Sequence, residues 1–87
     1  MSPDVVQVET AGGYVVTLTF EGGEKREVNI RDLVPLEGVF EPLKDLAYFR
    51  QVSVNAEIGT IVWPNGADIC PDVLYAESRP LVGSRAG

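Results

Sequence analysis

Histidine is absent from this 87-residue sequence, and cysteine occurs only once. Without histidine the chain cannot assemble the Ser-His-Asp or Cys-His arrangements that activate a nucleophile. The one cysteine, Cys70, can form no internal disulfide and cannot supply the ligands of a structural zinc site by itself. The sequence therefore predicts a protein that is not an enzyme of these classes and that holds no metal and no cofactor.

Long apolar runs are also missing. No stretch approaches the roughly 18 to 20 residues that cross a bilayer, and the first residues, Met1 to Asp4, lack the basic and apolar regions of a secretory signal. The single thiol fits a reducing compartment. We therefore expect a cytoplasmic protein that does not associate with a membrane.

Basic residues are few: 7 lysines and arginines stand against 13 aspartates and glutamates, for a net charge of −6. Lysine and arginine supply most of the affinity for phosphate backbones, so direct nucleic-acid binding is disfavoured. The same negative charge would attract a small basic protein, although an acidic surface more often serves solubility alone.

The hydrophobic fraction of 45% is that of a globular chain, and 87 residues have room for one core. No apolar periodicity follows Ser78. We therefore predict a single domain over residues 1–78 and a flexible C-terminal tail over residues 79–87.

Three alternating runs in the first half, Val5–Glu9, Tyr14–Phe20 and Lys25–Ile30, predict strands separated by glycine-containing turns. The inward-facing residues of this meander should be Val16, Leu18, Phe20, Val28 and Ile30.

The second half alternates short helical and extended patterns. Leu43, Leu46 and Phe49 share one face of a predicted helical segment over residues 41–49. A hairpin should follow over residues 51–55 and 60–63, with Gly59 in its turn, then a loop over residues 64–68 and a helix over residues 71–76. The fold class is thus α+β, with two small antiparallel hairpin or meander elements and two or three short helices.

Five residues are candidates for a binding surface. Trp63 is best interpreted as a core residue, but tryptophan also anchors interfaces, and Tyr48 and Tyr75 could flank the same surface. Asn65 and Asp68, in the loop after Trp63, resemble part of an oxygen-rich cation site but lack calcium-loop spacing.

Two further expectations concern reactive groups. Cys70, between Ile69 and Pro71, should be a small buried residue. The carboxylates Glu21 and Glu24 lie on a predicted exposed turn, where nothing should shift their pKa values.

An ordered series of segments carries a family resemblance: Phe40-Glu41-Pro42-Leu43, Phe49, Val52 to Asn55, Gly59 to Asp68, and Pro71 to Tyr75. The chain resembles the domain of unknown function (DUF) 2442 family in this series, and Phe20, the turn from Glu21 to Glu24 and Arg31-Asp32-Leu33 extend the likeness over about Val8 to Ala76.

The resemblance implies a compact α+β fold in a bacterial protein without an established activity, and it brings no catalytic residues. Some relatives resemble antitoxin-like partners of another small family, DUF 4160, and others carry an appended helix-turn-helix domain, for which too few residues follow Ala76. Cys70 departs from the pattern where a polar helix cap would be expected.

The leading hypothesis is a non-enzymatic protein-interaction module, antitoxin-like, that uses an acidic face and an aromatic edge near Trp63 to bind a small basic protein. The alternative is a small-ligand or cation-binding domain that uses the loop from Asn65 to Asp68. An enzyme based on carboxylates and a tyrosine ranks last, because it needs a deep cleft. Exposed strand edges would also permit a homodimer.

Overall fold

The first half of the chain folds into the antiparallel meander that its alternating pattern predicts. The computed structural model describes residues 3–81, in which β1 covers Val5–Thr10, β2 covers Val15–Phe20 and β3 covers Lys25–Asn29. β2 pairs antiparallel with both neighbours. One face of the meander is fully buried and holds the predicted inward residues Val16, Leu18, Phe20, Val28 and Ile30.

The first residues of the predicted flexible tail form a strand in the structure. Arg79–Pro80 forms a short strand, β6, that pairs antiparallel with β3, and the Leu81 N–H donates to Lys25 O over 3.0 Å. β6 completes a four-stranded sheet in the order β1-β2-β3-β6, with β1 and β6 at its edges. The expectation of a tail is therefore wrong for these two residues, and residues 82–87 lie outside the described part of the chain.

The segment between the two sheets is helical but broken. 3-10 helices cover Ile30–Asp32 and Gly38–Lys44, and α1 covers Leu46–Phe49. Pro42 has no N–H to donate, and Asp45 takes an extended conformation and accepts from the Ala47 N–H over 2.9 Å as the cap of α1. The extended Asp45 thus divides the predicted helical segment into two, with Pro42 inside the first part.

The second half supplies a separate two-stranded sheet and the second α-helix. β4, Ser53–Asn55, pairs antiparallel with β5, Thr60–Val62. Gly59 ends the turn between them with a φ of +70°, a conformation that favours glycine. After the loop, α2 covers Pro71–Glu77 with Pro71 in its first turn. The predicted α+β class and the second hairpin are confirmed.

Trp63 lies at the centre of the core that joins the two sheets. It is only 1% exposed, and its indole N–H donates to Phe49 O over 2.9 Å. Its ring contacts Phe40 edge-on and Phe49 at a tilt, with centroids 6.3 and 6.0 Å away. The indole therefore contacts the 3-10 helix Gly38–Lys44 and α1, and it joins these two helices to the end of β5.

Replacing Trp63 by phenylalanine should lower the free energy of unfolding by about 2 to 3 kcal/mol, because the smaller ring leaves a cavity and the Phe49 carbonyl keeps only the longer hydrogen bond from the Val52 N–H, at 3.2 Å. Urea unfolding measures the change. Tyr48→Phe is the control, since it also removes one polar atom from a partly buried ring but breaks no hydrogen bond within residues 3–81, and its effect should stay within about 0.5 kcal/mol. Equal effects of the two substitutions would contradict the role assigned to the indole.

Cys70 is exposed, so the expectation of a buried thiol is wrong. It occupies the cap position of α2, and its side chain makes no capping hydrogen bond. The first N–H groups of the helix thus receive no side-chain acceptor from this position.

Cys70→Asp should raise the free energy of unfolding by about 1 kcal/mol, because a carboxylate at this position can accept from the first turn of α2. Thermal unfolding of the wild type, Cys70→Asp and Cys70→Ala separates the gain of a cap from the loss of the thiol. If the alanine and aspartate variants were equally stable, the helix start would not be limited by its cap.

Candidate interaction surface

The predicted aromatic edge does not lie on the surface. Trp63 is buried in the core, because its large ring is needed to fill the space between β5 and the helical segments, and only its neighbours in the loop reach solvent. The proposed interface role of Trp63 is therefore wrong, and its interpretation as a core residue is confirmed.

The loop after Trp63 is held by its own polar groups. The Asn65 side chain donates to Val39 O over 2.8 Å and accepts from the Ala67 N–H over 3.1 Å. Asp68 is exposed and its backbone bridges to Val62. Among residues 3–81 no three acidic or cysteine side chains converge in a way that could hold a metal ion. An incoming ligand would have to displace contacts that already satisfy the Asn65 amide.

Tyr48 and Tyr75 do not join Trp63 in one aromatic surface. Tyr75 packs edge-on against Phe20, with ring centroids 5.0 Å apart, on the four-stranded sheet. Tyr48, on α1, is half-buried against the core. The two tyrosines thus lie on different helices, whereas Asn65 and Asp68 share the loop after Trp63.

Tyr75 instead belongs to a polar cluster that fastens α2 to the meander, and we call it the Arg26 clasp: Glu24, Arg26, Tyr75 and Ser78. The Arg26 guanidinium lies over the Tyr75 ring, 4.2 Å from its centroid, and pairs with Glu24 over 2.8 Å. It also donates to the hydroxyl and the carbonyl oxygen of Ser78 over 2.7 and 2.8 Å. One side chain therefore holds the turn after β2, the end of α2 and the start of β6 together.

The contacts of the clasp lower the pKa of Glu24 and raise the pKa of Tyr75. Hydrogen bonds from the Tyr75 hydroxyl, at 2.7 Å, and from Arg26 hold the pKa of Glu24 below its ordinary value. The bond to Glu24 raises the pKa of the Tyr75 phenol, because the carboxylate stabilises the protonated hydroxyl. The expectation that Glu24 would have an ordinary pKa is wrong, because Tyr75, the partner with the largest effect, is 51 positions away in sequence and meets Glu24 only in the fold.

The pH dependence of stability should report this carboxylate. Because the folded-state pKa of Glu24 is lowered from 4.5, its contribution is present above about pH 4.5 and is lost as the pH falls through the lowered value. The stability difference between wild type and Glu24→Gln should be constant from neutral pH to about pH 5 and shrink below that.

Urea unfolding at a series of pH values measures this difference. Glu41→Gln is the matched control, because Glu41 is exposed and makes no side-chain hydrogen bond or ion pair within residues 3–81. A pH-independent difference for Glu24→Gln, or an equal pH dependence for both variants, would contradict the clasp.

The surface of the fold is strongly acidic. Twelve of its thirteen carboxylate side chains are exposed, and Glu27 is half-buried. Within residues 3–81 the pair between Glu24 and Arg26 is the one ion pair that brings a carboxylate and a cation within 4 Å. The negative charge is thus displayed to solvent and is largely not neutralised inside the fold.

Two of the grooves on the described surface have two or more carboxylates in their walls. One, of about 380 Å³, lies at the edge of β3 where β6 begins, and Glu27, Asp32, Glu77 and Arg79 line it. The other, of about 210 Å³, lies between the start of β1 and the turn that joins β4 to β5, with Asp4 and Glu21 in its wall. The first contains a cation of its own, whereas the second contains none.

Sequence reasoning did not find these features. Asp4 and Gly59 are 55 positions apart, and Arg26 and Ser78 are separated by 52. The available signals were Gly59 as a turn residue and Arg26 as an alternating strand residue, and neither signal predicts a partner so far along the chain.

The fold and surface define a small α+β domain that exposes most of its carboxylate side chains. Comparison with known families places it more closely: the family model described as "Protein of unknown function (DUF2442)" matches residues 5–80 of the 87. The chain belongs to this family, as its sequence resemblance predicts.

No curated protein and no solved structure matches the chain. Within residues 3–81 there is also no helix of the length and apolar character needed to span a bilayer.

Proposed function

We propose that this chain is a protein-interaction module without catalytic activity, and that it binds a small basic protein through its acidic surface. The observation that supports this most directly is the exposure of twelve of thirteen carboxylates, with a single ion pair inside residues 3–81. A surface of one sign accelerates encounter with an oppositely charged partner and disfavours partners of like charge.

The groups with shifted pKa values also support a non-enzymatic role. An acid or base that works near neutral pH needs a pKa close to that range. The pKa of Glu24 is lowered and that of Tyr75 is raised, so both shifts move these groups away from neutral pH. The Arg26 clasp therefore favours a structural rather than a proton-transferring role for its tyrosine and carboxylate.

The resemblance of some members of this family to antitoxin-like proteins supports a more specific proposal. We place the chain as the antitoxin-like half of a bacterial pair that acts in the cytoplasm, with a DUF 4160-like protein as the partner class. Binding would cover the carboxylates of this chain with lysine and arginine of the partner, so the association rate should depend strongly on salt.

Co-expression of the tagged chain with a basic DUF 4160-family protein from the same genome tests the proposal. The two should co-purify, and raising the salt concentration from about 0.05 to 0.5 M should weaken the complex at least about tenfold, because screening shortens the reach of surface charges. Calorimetry at each salt concentration measures the affinity.

The control is an acidic DUF 4160-family protein, which should not bind. Failure to bind any small basic protein, or binding that salt leaves unchanged, would contradict an interaction carried by the carboxylates.

A further inference from the structure

The groove between β1 and the β4–β5 turn combines apolar and acidic walls, and we call it the β1 groove. It is lined by Asp4, Val5, Val6, Glu21, Val54, Ala56 and Gly59 and has a volume of about 210 Å³. Val6, Val54 and Ala56 supply apolar surface, and Asp4 and Glu21 supply carboxylates.

A β-bulge accounts for the apolar part of this groove. The pairing of β1 with β2 passes from Val5 opposite Phe20 to Gln7 opposite Thr19, which leaves Val6 without a cross-strand partner. Bulges redirect a side chain out of the regular alternation. Val6 is 47% exposed as a result, and Ile58, next to Gly59, is exposed to the same extent.

The carboxylates are held in place by backbone contacts. The Glu21 N–H donates to Asp4 O over 2.8 Å, so the two acidic residues lie side by side at the end of the β1–β2 pair. The Val5 N–H donates to Gly59 O over 2.9 Å, which fixes the start of β1 against the β4–β5 turn. Hydrogen bonds therefore hold the backbone of both acidic residues in place, although their side chains are exposed.

Gly59 makes the position of Asp4 sterically feasible. A Cβ at residue 59 would lie 2.5 to 2.8 Å from the carboxyl atoms of Asp4, closer than real contacts allow. The Asp4 side chain thus occupies space that only glycine leaves open. Asp4 and Glu21 form no ion pair within residues 3–81.

We propose that the β1 groove receives a lysine or arginine side chain of the basic partner, an inference that rests on the proposed function. The aliphatic stem would lie on Val6, Val54 and Ala56, and the charged head would reach Asp4 and Glu21. Two carboxylates beside apolar surface, with no cation in the wall, favour recognition here over the other exposed acids. The groove at the β3 edge fits this ligand less well, because Arg79 lines it.

The test uses the whole chain labelled with ¹⁵N and a capped peptide, Ala-Lys-Ala-Lys-Ala, as the probe. Amide shifts should concentrate on Val6, Glu21, Val54 and Gly59. The double variant Asp4→Asn/Glu21→Gln should bind the peptide about tenfold more weakly, because it removes both charge partners. Glu37→Gln/Glu41→Gln, which changes the net charge equally at exposed sites outside the groove, should bind nearly as the wild type does.

A second probe tests the apolar floor. Replacing both lysines of the peptide by 2,4-diaminobutyric acid keeps the ammonium groups but shortens each stem by two methylenes, and it should weaken binding several-fold, about the value of the lost apolar contact. Equal affinity for the two peptides would overturn the groove as the recognition site for a stem.

The outcomes separate the groove from the function on which it rests. Shifts that concentrate elsewhere, or an equal loss of affinity in both double variants, would overturn the β1 groove, while binding of the basic partner would still support the interaction module. If neither the peptide nor any small basic protein binds, both proposals fail.

Discussion

The burial of Trp63 is the constraint on which the rest of the fold depends. Its ring fills the space between β5 and the helical segments, and its N–H satisfies the Phe49 carbonyl at the end of α1. A small domain has a small core with few large side chains. Removing the Trp63 ring would therefore leave a large part of that core unpacked. The residue that looked most like an interface anchor is therefore committed to folding and is not available to a partner.

A second group of contacts, the Arg26 clasp, joins α2 to the four-stranded sheet. Arg26 contacts Glu24, Tyr75 and Ser78 at once, and its position on β3 lets it bridge the meander and α2. A planar guanidinium can donate in several directions while it stacks on a ring, which a lysine cannot do. The clasp lies directly before β6, which begins after Ser78 and pairs with β3 through its backbone.

With the aromatic residues and one arginine committed to structure, the acidic side chains remain as the chemistry that the surface offers. The backbone sets where they lie: a bulge in β1 exposes Val6, a glycine leaves space for Asp4, and a turn brings Glu21 beside it. The β1 groove thus combines apolar and acidic surface, which differs chemically from uniform negative charge.

The sequence by itself determined the α+β class, the two hairpins, the inward faces of the meander and the acidic character, since these follow from local alternation, turn glycines and charge. Only the tertiary structure decided that Cys70 is exposed, that Glu24 has a lowered pKa, that Arg79 and Pro80 form a strand and that Asp4 lies over Gly59. Each of these depends on residues more than about fifteen positions apart or on how a surface is covered. Local patterns specify which face of an element is apolar, but not which distant side chain packs against it.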